Sequence, residues 1–116
     1  MTAPHAVVTA RLTAERERWL AQVAALHRSY ADVVAASDNS NADDEHDPEG
    51  ATIAFERSQL RAQIAAAQSS LDAVDEALEQ VRAGGYGICS TCARPIAAAR
   101  LEARPTARTC ISCASR

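Results

Sequence analysis

The sequence predicts a mainly α-helical protein: an antiparallel two-helix coiled-coil hairpin followed by a small C-terminal four-cysteine zinc-finger module. Three observations carry this expectation. Two long segments place apolar residues at alternating spacings of three and four. A strongly polar connector separates those segments, and all four cysteines fall in the last third of the 116 residues as two C-x2-C pairs. Aromatic residues are confined to Trp19, Tyr30, Phe55 and Tyr86, and alanine is abundant, which favours thin helix-on-helix packing over a thick core. The expected division is 1–83 for the hairpin, with helices at about 9–37 and 48–83 and an acidic tip at 38–50, and 84–116 for the cysteine module.

Residues 1–8 say little beyond Pro4, which can open a helix. From Thr9 or Thr13, either able to cap, apolar residues fall at Leu12, Trp19, Val23, Leu26, Tyr30 and Val33, the alternation of a coiled-coil seam. Arg16 fills the one charged slot, where its stem can lie along the seam while its head reaches water. In the second helix Asp47 is the expected N-cap, Pro48 the first helical residue and Glu49 a first-turn acid. The seam then repeats at Ile53, Leu60, Ile64, Ala67, Leu71, Val74, Leu78 and Val81, with Arg57 in the charged slot. Arg82-Ala83-Gly84-Gly85 ends it, with an arginine in the last turn and a glycine for the left-handed cap position.

Folding the hairpin back antiparallel pairs Val33 with Ile53, Tyr30 with Arg57, Leu26 with Leu60, Val23 with Ile64, Trp19 with Ala67 and Leu12 with Val74. Large meets small at Trp19 and Ala67, as close packing requires. The second helix would run about 50 Å at 1.5 Å per residue, so Leu78 and Val81 need cover from Val7 and Val8 or from the cysteine module.

Charge is distributed unevenly within a formal net charge of -3. Asp38 to Glu49 holds six acids and no Lys or Arg, whereas the chain from Arg82 onward holds six arginines against the single acid Glu102. The first residues lack the charged region and apolar run of a secretory signal, and no stretch approaches a membrane span. The expectation is a cytoplasmic protein with reduced thiols, which favours metal over disulfides.

Cys89-Ser-Thr-Cys92 and Cys110-Ile-Ser-Cys113 are separated by seventeen residues. Each two-residue gap lets one tight turn supply two thiolates, and two such turns close a tetrahedral shell. With all four positions filled by Cys89, Cys92, Cys110 and Cys113, there is no open place for a catalytic water, so one structural Zn2+ is expected. A redox C-x-x-C pair, two disulfides and an iron centre in the same shell are the competing readings. The module's large apolar residues, chiefly Ile88, Ile96, Leu101 and Ile111, are too few to hold a core unaided. Pro95 to Pro105 reads as a short helix. Its Arg100 and Arg104, four apart, are candidates to touch phosphate, to pair with carboxylates or to offset the thiolate charge. No extended basic tract with interleaved aromatics supports autonomous DNA binding.

These residues resemble the DksA/TraR family of bacterial RNA-polymerase-binding transcription regulators. The likeness lies in Asp44-Glu-His-Asp47-Pro-Glu-Gly50, in Gly84-Gly-Tyr-Gly-Ile-Cys-Ser-Thr-Cys92, in Ile96, and in Arg100-Leu-Glu-Ala-Arg-Pro105 through Cys110-Ile-Ser-Cys113. The resemblance implies a non-enzymatic factor that docks its zinc-bearing end at the polymerase secondary channel, inserts the coiled coil and alters initiation. It implies functional acids at the tip, Asp44 and Asp47, with Asp43, Glu45 and Glu49 as secondary candidates. Arg57 and Arg61 on the near-tip helix then become candidate channel-wall contacts, and a nucleotide alarmone a candidate companion in the complex. Glu49 departs from the alanine of well-known members. The chain also ends three residues after Cys113, where longer members carry a helix used in polymerase contact.

The acids sit on a polar turn with no apolar pocket to raise a pKa, and His5, His27 and His46 have no evident catalytic partner, so an enzyme is not expected. A monomer is expected in the polymerase reading. The alternative is a zinc-stabilised structural or interaction module, dimeric through its hairpin, with no polymerase role.

Overall fold

The computed structural model describes residues 3–39 and 48–115. Its elements are α1 (Ala3–Asn39), α2 (Pro48–Ala83), α3 (Ala98–Ala103) and α4 (Ile111–Ala114), with one isolated antiparallel bridge between Ile88 and Pro95. Helix α1 begins at Ala3, ahead of the expected start near Thr9. Pro4 falls in the first turn, where its missing N–H costs nothing. The added turns extend the inward face, because His5, Val8 and Thr9 are half-buried on the same stripe as the buried Leu12.

The two long helices pack along the predicted seam. Leu12 and Val74 are fully buried, and Ala67, Leu71, Ala77 and Val81 nearly so. Trp19, Val23, Leu26, Tyr30, Val33, Ile53, Leu60 and Ile64 are half-buried. Phe55, at 62% exposure, lies off the stripe. The antiparallel sense is visible at two places. Arg16 reaches Asp75, and Trp19, Gln22 and Leu26 line one cleft with Gln63, Ala66, Ala67 and Ser70.

The chain divides into two compact units, one formed by residues 1–17 with 72–116 and the other by residues 18–71. In the first, the base of the hairpin and the cysteine module share one set of contacts. Glu76, Ala77 and Gln80 of α2 line a 310 Å³ cleft together with Gly85 to Ser90 and Thr106 to Arg108. Arg108 approaches the Glu76 carboxylate at 3.7 Å. Leu78 is half-buried here, as is Val8, whereas Val7 is exposed.

Helix α2 ends as its glycines require. Gly84 adopts φ +87°, its N–H donates to the Val81 carbonyl, and Gly85 N–H donates to the Gln80 carbonyl. This is the paired bonding of a Schellman cap. No helix among the described residues is long and apolar enough to cross a membrane.

Candidate metal centre and hairpin tip

The first cysteine turn is built by short-range bonds. Cys89 N–H donates to the Arg94 carbonyl at 2.8 Å and Ala93 N–H returns to the Cys89 carbonyl at 2.9 Å, closing a tight loop around Cys89 and Cys92. Ala93 completes it in the left-handed region at φ +63°, a conformation that costs a residue with a Cβ about 1–2 kcal/mol. Ile96 N–H donates to the Gly87 carbonyl at 2.7 Å. Gly87 has φ +86°, and a Cβ there would stand 3.4 Å from Leu101 Cδ1, so Gly87 both turns the chain and admits α3.

The second turn comes from Cys110, the residue preceding α4, and Cys113 within that helix. Ala114 N–H donates to the Cys110 carbonyl. The two turns are tied together, since Ser90 N–H donates to the Arg108 carbonyl at 2.8 Å. Arg100 Nε from α3 donates to the Thr109 carbonyl at 2.8 Å, one residue before Cys110. Tyr86 donates its hydroxyl to the Pro105 carbonyl at 2.7 Å, and its partial burial raises the phenol pKa.

These turns gather the sulfurs of Cys89, Cys92, Cys110 and Cys113 within 4.8 Å of one another. Cys92 Sγ and Cys110 Sγ are 3.8 Å apart, and all four thiols are free. Tetrahedral zinc with Zn–S bonds of about 2.3 Å implies S···S edges near 3.8 Å, whereas a disulfide needs about 2.05 Å. The donor set and its spacing therefore fit a closed thiolate metal centre and exclude a disulfide among these residues as they stand. Backbone amides of Cys110 and then Cys92 aimed at the Cys89 sulfur pull its pKa down to about 6. Cys110 is also lowered, first by the backbone amide of Cys113. Cys113 is pushed up to about 12, first by its side-chain hydrogen bond with Cys110. Four sulfurs this close do not all ionise unless a cation compensates them, which is the electrostatic demand a divalent metal meets.

The apolar support of this centre is smaller than the sequence suggests. Ile96 is buried and Leu101 half-buried, but Ile88 and Ile111 are 45% and 62% exposed. Cys89 and Pro105 take the buried positions instead. A metal bound by the four sulfurs would supply the cross-links that so small a core lacks.

Asp43, Asp44, Glu45 and Asp47, including the expected capping role of Asp47, lie outside the described residues; Glu49 is in the first turn of α2. Arg61 and Arg104 are exposed. Arg100 is half-buried and engaged with Thr109. Arg57 is half-buried on the seam, with an enclosed Nε that has no hydrogen-bond partner. Sequence reasoning missed Asp75 as the partner of Arg16, Glu76 as that of Arg108 and Pro105 as that of Tyr86. No local signal marks such long-range pairs.

A helical hairpin with a four-cysteine module is the class this geometry defines. Residues 84–116 match the model of the prokaryotic dksA/traR C4-type zinc-finger family. The RNA polymerase-binding transcription factor DksA of Caulobacter vibrioides (strain NA1000 / CB15N) is 56% identical over 34 residues, 29% of this chain and 24% of that protein. The protein of the same name from Buchnera aphidicola subsp. Schizaphis graminum is 45% identical over 40 residues, 34% of this chain and 26% of that protein. The matched stretch thus spans about a quarter of the length of these curated relatives. The structure of transcription factor DksA2 from Pseudomonas aeruginosa superposes with a TM-score of 0.83 at 25% identity, covering 98% of this chain and 82% of that one. Residues 84–116 thus match the dksA/traR zinc-finger family in sequence, and nearly the whole chain is similar in fold to one DksA2 structure.

Proposed function

We propose that this chain is a non-enzymatic transcription regulator that binds bacterial RNA polymerase and inserts the acidic tip of its hairpin into the secondary channel, modulating initiation. The observation that carries the reading is the joint one. The module has the sequence of the dksA/traR zinc finger, and 98% of the chain takes the fold of a DksA2 transcription factor. A cysteine module alone would serve many partners; its attachment to a helical hairpin supports this mode of action. One structural Zn2+ held by Cys89, Cys92, Cys110 and Cys113 shapes the end of the protein that docks.

Asp44 and Asp47 are the tip acids in this reading, with Asp43, Glu45 and Glu49 reinforcing the negative field. A concentrated acidic end suits a basic or metal-containing channel. Arg61 and Arg104, both exposed, are available to a partner, whereas Arg100 serves first to hold the second cysteine turn. The protein works as a monomer in the bacterial cytoplasm, and a nucleotide alarmone is a candidate co-ligand of the complex.

Pull-down with purified RNA polymerase tests this. Wild type and a form with residues 38–50 replaced by a short glycine-serine turn should both be retained by polymerase, and the metal-stripped form should not. Absence of retention for wild type would refute the reading.

A further inference from the structure

Two arginines occupy seam positions where the heptad pattern calls for apolar side chains, and their surroundings differ. Arg16 donates its Nε to the Asp75 carboxylate at 2.6 Å. Arg57, in the 18–71 unit, has an Nε shut off from solvent that meets no acceptor. A guanidinium does not shed its proton at any physiological pH, so the enclosed N–H stays a donor whose lost hydration nothing replaces. The positions on either side would suit an apolar residue. Ile53, Leu60 and Ile64 share the Arg57 stripe of α2 at spacings of four, three and seven, and all are half-buried.

We infer that Arg57 is a weak point built into the hairpin: it holds the 18–71 unit below the stability its own seam pattern would reach, so the backbone around it opens locally. The surrounding seam has little to offset the defect, since among the described residues of that unit only Ala67 and Leu71 are buried, both at the end away from Arg57. In the polymerase reading, local opening next to the tip lets the inserted segment conform to the channel wall. The stability argument itself does not depend on that reading.

Native-state hydrogen exchange on the full metal-loaded chain tests the inference without polymerase, so its failure is separable from failure of the functional proposal. Arg57→Met keeps length and helix propensity while removing the charge. Amides of residues 53–64 should exchange roughly tenfold more slowly in Arg57→Met than in wild type, with amides of 74–81 unchanged. Arg16→Met, which removes a paired arginine, should slow exchange nowhere. Unchanged or faster exchange at 53–64 in Arg57→Met would overturn the inference by showing that the guanidinium stabilises its site. Equal slowing in both segments, or slowing in Arg16→Met, would overturn it too, because the effect would then not be local to an unpartnered donor.

Discussion

The unit formed by residues 1–17 and 72–116 has a dry seam, with Leu12 and Val74 at 0% exposure and Ala77 and Val81 nearly as enclosed. In the 18–71 unit the same heptad logic buries Ala67 and Leu71 at one end and leaves Trp19, Val23, Leu26, Tyr30, Val33, Ile53, Leu60 and Ile64 half-buried. The apolar pattern is equally regular in both, so pattern alone does not set burial. Two helices cover each other along one stripe only. Where the cysteine module adds a third layer against Glu76, Ala77 and Gln80, the seam closes; without one it stays partly wet. The seam arginines follow the same division: Arg16 Nε is paired with Asp75, and the enclosed Arg57 Nε has no acceptor among the described residues.

The comparison breaks first at the metal. Chelation, or Cys110→Ser, should abolish amide protection throughout residues 84–115, because metal coordination by the clustered sulfurs would have to support a core in which only a few side chains are buried. Amides of residues 53–64 should exchange as before. Parallel loss in both segments, followed by hydrogen exchange, would show that the two regions are energetically one.

Truncation at the seam gives the next largest effect. Leu12→Ala, at a fully buried site, should cost about 3 kcal/mol in chemical denaturation, within the usual range for buried leucines. Leu26→Ala, at a half-buried site, should cost roughly half as much because less apolar surface leaves water on folding. Equal costs would remove the distinction between a dry and a wet seam.

A smaller effect belongs to the module's own brace. Tyr86→Phe loses the hydroxyl bond to the Pro105 carbonyl and should cost about 1 kcal/mol. Burial raises the Tyr86 pKa above its ordinary value of 10.0. A group with a raised folded pKa contributes stability that is full below the unfolded pKa and is lost as pH rises through the folded one. Wild type should therefore lose stability above about pH 10, and Tyr86→Phe should lose less. Thermal melts across that window check both statements.

Much of this architecture was legible because it is periodic or covalently local. The seam positions, the glycine cap at Gly84 and the two C-x2-C turns each announce themselves within a few residues. The early start of α1 was hidden because nothing in residues 5–8 forces or forbids a helix; His5 and Val8 become helical by covering an inward face. The exposure of Ile88 and Ile111 was hidden for the opposite reason, since apolar character alone does not say which of the module's few large side chains are covered. The pairs Arg16 with Asp75 and Arg108 with Glu76 join residues far apart in sequence, and such contacts follow from register and docking. Asp44 and Asp47 owe their place in the account to the family resemblance.

That dependence makes the tip the place to test the central claim. Asp44→Asn, assayed side by side for polymerase retention and for its effect on transcription from a responsive promoter, should bind as wild type does and have lost its effect on initiation. Loss of binding would contradict the division between a docking body and an acting tip, and an unchanged effect on transcription would contradict the role of the acidic tip itself.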